Sequence, residues 1–89
     1  MVYVDDARHI YGRMIMSHMT ATNEQELHDM VDKIGISRTH FQNINKPHYD
    51  ICQSKKRLAI RHGAIQIPVA QLIFKARMLK KRMENEANS

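Results

Sequence analysis

The residues with the most chemistry in them are two aspartates near the start of the chain, Asp5 and Asp6, and two histidine-bearing stretches, Ser17-His18 and His48-Tyr49-Asp50. Carboxylate oxygens and imidazole nitrogens are the donors from which a divalent cation builds a fixed shell. The same groups serve as general acid and base when held within hydrogen-bond reach. Asp5, His18, His48 and Asp50 are therefore the candidate metal ligands, or acid and base pair, of a metal-dependent hydrolase or nuclease. No spacing along the chain forces the four together. Without convergence, His18 is a satisfied core or cap histidine, Asp50 caps a turn and Asp5 pairs with an arginine. Tyr3-Val4-Asp5-Asp6 also matches the catalytic turn of reverse transcriptases, but 89 residues are far too few for a polymerase.

Positive charge is the second feature. Fourteen Lys and Arg against nine Asp and Glu give a formal charge of +5, and the excess collects in Lys55 to Arg61 and Lys75 to Arg82. Lys55, Lys56 and Arg57 fall at the start of an expected helix, where positive charge opposes the helix dipole and so points to an anionic partner. Arg13 and Arg61 are the candidate phosphate contacts, with Lys55, Lys56, Arg57, Lys80, Lys81 and Arg82 supplying the field. Tyr11, Tyr49 or Phe41 offers a stacking face. This favours a small noncatalytic protein that binds nucleic acid or a nucleotide, with the metal-dependent enzyme as the alternative. A solvated, solubilising face accounts for the same charges, and no helix-turn-helix, zinc-finger or RNP signature is present. A third possibility is an accessory factor that docks on a host protein through Met-rich surfaces, with Phe74 and Met78 at the contact.

The elements that must position these side chains follow from periodicity. Met1 to Val4 alternates and reads as a first strand, and Met14 to Met19 is apolar at nearly every position, as in a central strand buried on both faces. Ala7 to Gly12 reads as a polar connection between them. Leu27, Met30, Val31 and Ile34 repeat at the helical period, with Thr22 and Gln25 at capping-box spacing and Gly35 as the left-handed stop. One helical turn is expected over Ile36 to Phe41, then an Asn-rich loop, a strand over His48 to Cys52 and a helix over Lys55 to His62 capped by Ser54. Ala64 to Ile67 reads as a last strand, and Pro68 opens a helix whose stripe is Val69, Leu72, Ile73, Ala76, Leu79 and Met83. Glu84 to Ser89 is expected to fray. The order ββαβαβα implies a small α/β domain over residues 1–83, two- or three-layered, with a mostly parallel sheet. Ligands of such sheets collect at the carboxyl ends of the strands.

At this size the core is thin, and with no Trp and seven Met it rests on adaptable aliphatic and thioether side chains. Homodimerisation is one way to add buried area, though the sequence does not demand it. The lone Cys52 excludes an internal disulfide and a multi-cysteine zinc site, and it suits a reducing cytoplasm. The opening Met-Val-Tyr-Val-Asp-Asp reads as a strand rather than a signal peptide. No window has the roughly 20 apolar residues of a membrane span, so no membrane partner is expected.

Taken in order, Tyr3-Val4-Asp5-Asp6, Gly12-Arg13, Ser17-His18-Met19, Glu26-Leu27-His28, Ile34-Gly35, His48-Tyr49-Asp50 and Gly63-Ala64 resemble a family of small bacterial and bacteriophage proteins, domain of unknown function 4031. The likeness runs to about Ile67 and is less distinct over the basic last helix. It implies a bacterial or phage-infected cytoplasm and makes Asp5, Arg13, His18, His48 and Asp50 motif positions. It brings no activity with it.

Overall fold

The computed structural model describes residues 1–88. Five strands and three helices follow one another as β1 (Val2–Asp5), β2 (His9–Tyr11), β3 (Met14–Ala21), α1 (Glu24–Ile34), β4 (Tyr49–Cys52), α2 (Gln53–Arg61), β5 (Ile65–Ile67) and α3 (Val69–Ala87), with a short 3-10 turn at Arg38–His40. The sheet is mixed: β3 runs antiparallel to β1, β2 and β4, and among the described residues only β1 with β5 is parallel. The expectation of a mostly parallel sheet is therefore corrected, as is the order, which is βββαβαβα. The strand missed in the sequence is His9–Tyr11. All three of its residues are exposed, so no alternation of apolar and polar positions marks it.

The registers place β3 at the centre, as its apolar sequence suggested. Met16 lies opposite both His9 and Cys52, and Met19 opposite both Val4 and Tyr49. A strand residue has one neighbour on each edge, so β4 takes one edge of β3 while β1 and β2 share the other. They form one strand interrupted by a bulge: the four residues Asp5 to Arg8 span the interval that Ser17 and His18 span on β3. Such an insertion bends the strand and frees ladder groups that need other partners.

Helices cover the sheet unevenly. Leu27, Val31, Ile34 and Ala59 from α1 and α2 meet Val4, Met19, Tyr49 and Ile51 in the core. Side chains alternate along a strand, so Tyr3 points to the opposite face, where the Lys75 ammonium of α3 stands 4.9 Å from its ring centroid. The result is three layers. Burial climbs along β3 from exposed Met14 to wholly buried Thr20 and Ala21, which leaves the Met14 end open on the His18 face. Among the described residues no helix is long and apolar enough to cross a membrane.

The α1 stripe of Leu27, Met30, Val31 and Ile34 is buried as its period requires, each side chain contributing about 1.5–3 kcal/mol of transfer free energy. Gly35 ends the helix at φ 79°, its N–H on Asp32 and Val31 carbonyls. The cap is Asn23 rather than Thr22: its side-chain oxygen accepts from the Glu26 N–H at 2.8 Å, while its amide donates to Glu26 Oε1 at 2.7 Å. Glu26 also pairs with the amino group of Met1. The second helix starts at Gln53, directly after β4 and without a side-chain cap, so Ser54 is not its cap. Asn23→Ala should cost about 1 kcal/mol in urea unfolding, whereas Thr22→Ala should cost much less; equal losses would contradict this cap.

Candidate metal centre

The bulge is closed by Asp5. Its carboxylate, wholly buried, accepts from the N–H of Ala7 at 3.1 Å and the N–H of His18 at 2.9 Å through Oδ1. Its Oδ2 lies 2.6 Å from Nδ1 of His18. Ser17, opposite the same bulge, donates to the Ala7 carbonyl at 2.7 Å and accepts from Gln53 at 3.0 Å. The Lys56 ammonium donates to the Asp5 carbonyl at 2.9 Å. Bulge, strand and helix α2 are thus tied by groups that would otherwise be orphaned, and no buried side-chain nitrogen or oxygen among the described residues lacks a partner.

Asp5 orients His18. With Nδ1–H donated to the carboxylate, Nε2 keeps its lone pair and points across the sheet to Asp50, whose Oδ1 is 3.8 Å away. The cross-strand pairing of His18 with Asp50 sets this approach. His48, just before β4, is fixed in the same sense: its Nδ1 donates to the Lys46 carbonyl, which leaves Nε2 at 3.3 Å from Asp50 Oδ1. Gln42, bridged to His48 through the backbone, donates to the other Asp50 oxygen at 2.7 Å. One donor atom from each of His18, His48 and Asp50 lies within 4.8 Å of the others. Donors sharing one cation at about 2.0–2.2 Å sit roughly 3.0–3.5 Å apart, so small side-chain adjustments close the shell. Imidazoles whose second nitrogen is held by a carboxylate or carbonyl are the arrangement that fixes tautomer and ring direction in metal sites.

The Asp5–His18 contact also sets how both groups titrate. Burial pushes the Asp5 carboxyl up, but hydrogen bonds from the His18 ring and N–H, the His18 charge and the Ala7 N–H outweigh it and hold the group below its ordinary value. His18 is raised, chiefly by its hydrogen bond to Asp5; burial and the Lys46 charge work against this, and the Asp5 and Asp50 charges assist.

The three donors open on a groove of about 1030 Å³. One bank is the β2–β3 hairpin, with His9, Tyr11, Met14 and Met16; the other carries Ile36, His40 and Lys55. Cys52 lines the groove as well; burial raises its thiol, but hydrogen bonds from Ser54 and the first N–H groups of α2 bring it below its ordinary value.

Of the four candidate ligands, His18, His48 and Asp50 converge, while Asp5 stands behind His18 as its hydrogen-bond partner. Asp6 is exposed. Among the candidate phosphate contacts, Lys55 reaches the groove, but Lys56 is committed to Asp5 and Ser17. Arg13, in the β2–β3 turn, and Arg57 and Arg61, on α2, are exposed and outside the groove lining. Lys80 and Arg82 pair with Glu84 and Glu86 along α3, and Lys81 is exposed beside them. Two contributors escaped the sequence: Gln42, in a loop with no periodicity to read, and His9, whose ring packs edge-on to His18 at 4.9 Å.

Fold and site together define a small mixed α/β protein with a histidine and carboxylate donor cluster on the open half of its sheet. The chain belongs to the family described as protein of unknown function (DUF4031), whose model matches residues 2–81 and so extends into α3. No curated protein and no solved structure matches the chain.

Two titrations bear on stability. Asp5, with its lowered pKa, contributes stability that is present above its ordinary 3.8 and lost as pH falls through the folded value. His18, with its raised pKa, contributes stability that is complete below its ordinary 6.5 and lost as pH rises through the folded value. In metal-free Asp5→Asn protein the His18 titration, followed by NMR, should move down, and stability at pH 6 should fall by about 1–3 kcal/mol. An unchanged His18 titration would show that Asp5 does not hold it.

Proposed function

We propose that the protein is a divalent-metal-dependent hydrolase of a phosphate-bearing substrate, with His18 Nε2, His48 Nε2 and an Asp50 carboxylate oxygen as ligands. The observation that carries this is the shared orientation of the two imidazoles: each commits Nδ1 to an acceptor and turns Nε2 toward Asp50. Three protein donors leave positions for water and substrate, as catalytic rather than closed structural sites do. A divalent cation held by His18, His48 and Asp50 would supply Lewis acidity and lower the pKa of a water to about 7. Hydrolysis there would add one water to phosphorus as the bond from phosphorus to the leaving oxygen breaks, with a proton of that water passing to the leaving oxygen. Lys55 on the groove favours an anionic substrate.

A noncatalytic nucleotide- or nucleic-acid-binding protein is the second reading, favoured by the same Lys55. It differs in predicting occupancy without turnover.

Thermal melts with Zn²⁺, Mn²⁺ and Mg²⁺ separate the readings. Metal at 100 times its Kd should stabilise the native state by about 2.7 kcal/mol, and His48→Ala should abolish the shift while remaining folded. Loaded protein should hydrolyse bis(4-nitrophenyl) phosphate, and Asp50→Asn should lower the rate at least tenfold. A metal shift without hydrolysis would favour the binding protein; no metal shift would remove the centre altogether.

A further inference from the structure

The open part of the sheet does more than expose the metal ligands. Paired residues of an antiparallel ladder share a face, so Tyr11 with Met14 and His9 with Met16 lie on the side that carries His18 and Asp50. A row therefore runs from the donor cluster over Met16 to Met14 and Tyr11 at the hairpin tip. The four residue steps of strand from His18 to Met14 cover about 13 Å. Tyr11 is 77% exposed and Met14 47% exposed, although both line the groove. Such an uncovered apolar shelf beside charged groups suits a ligand with one anionic end and one flat apolar end.

We propose that this shelf is a nucleobase seat. The ligand is a nucleotide unit with its phosphate at His18, His48, Asp50 and Lys55, and its base over Met16 and Met14 against Tyr11. The assignment rests on the metal-centre reading and names the substrate class for it. Two features select a nucleotide over a simple phosphate ester. The distance from cluster to tip exceeds the reach of a phosphate alone. Tyrosine offers a π face that stacks on any base, and the methionine thioethers are polarisable groups that favour aromatic neighbours. Lys55 on the facing bank complements the phosphate charge. A base can reach the seat only when unstacked, so the source is a free nucleotide or a single strand, not a duplex.

Metal affinity is first measured by calorimetry, which reads the metal-centre proposal separately. Binding to metal-loaded protein is then compared for AMP, ribose 5-phosphate, a phosphorothioate octathymidylate and its duplex with octadeoxyadenylate. AMP should bind at least tenfold more tightly than ribose 5-phosphate and shift the Met14 and Met16 methyl resonances. Tyr11→Ala should weaken AMP about tenfold with ribose 5-phosphate and metal affinity unchanged, and Tyr11→Phe should retain AMP. Tighter binding of the octamer than of AMP identifies a single strand as the source, and the reverse a free nucleotide. Equal affinity for AMP and ribose 5-phosphate, equal losses for both in Tyr11→Ala, or duplex binding as tight as single strand would each overturn the seat. Absence of metal binding with Tyr11-dependent AMP binding would keep the seat and remove the metal centre.

Discussion

Everything near the groove depends on one buried negative charge. A bulge opposite Ser17 and His18 deprives the sheet of regular ladder bonds, and a backbone N–H left unpaired inside a protein costs about as much as a lost hydrogen bond. Asp5 replaces the missing partners: one oxygen takes two N–H groups and the other takes the His18 ring. The Lys56 ammonium, from the helix layer, and the Ser17 hydroxyl, from β3 itself, complete the closure. A feature that looks functional in the sequence is thus first a device of the fold, and it serves the site through the ring it orients.

This division explains why the charges behave differently from their distribution along the chain. Lysines grouped at the start of α2 look like one patch, yet Lys55 faces the groove while Lys56 turns inward to the bulge. On α3 the dense basic run is partly neutralised along the helix itself, through Lys80 with Glu84 and Arg82 with Glu86. Exposed pairs of this kind contribute little to stability, but they reduce the field that the helix presents to a distant anion.

Legibility in the sequence tracked how each element is buried. The α1 stripe was readable because four large side chains share one period and one core face. The central position of Met14 to Met19 was readable for a related reason, though only its later half is buried. His9–Tyr11 was not, since an exposed strand in a hairpin has no apolar rhythm. Alternation of strand and helix suggested parallel pairing, but α1 and the long segment after it bring the chain back antiparallel, so β4 pairs with β3 in reverse. The types of the site residues were visible; their roles were not. Whether Asp5 stands beside His18 or behind it is decided by a register across two strands, and Gln42 enters through a loop bridge that no spacing announces.

The one parallel pairing has a consequence for how the chain assembles. β1, the earliest of the five strands in this sequence, lies between β3 and β5, so the chain as far as Ile65–Ile67 must exist before its second edge is paired. Contacts so far apart in sequence slow the search for the native state. Until then Val2–Asp5 presents unpaired main-chain groups, an edge that another chain can meet first. The late arrival of β5 and α3 therefore makes the segment from Ile65 to Ala87 the lock on a nascent protein, and its loss would show first as aggregation of a nearly complete sheet.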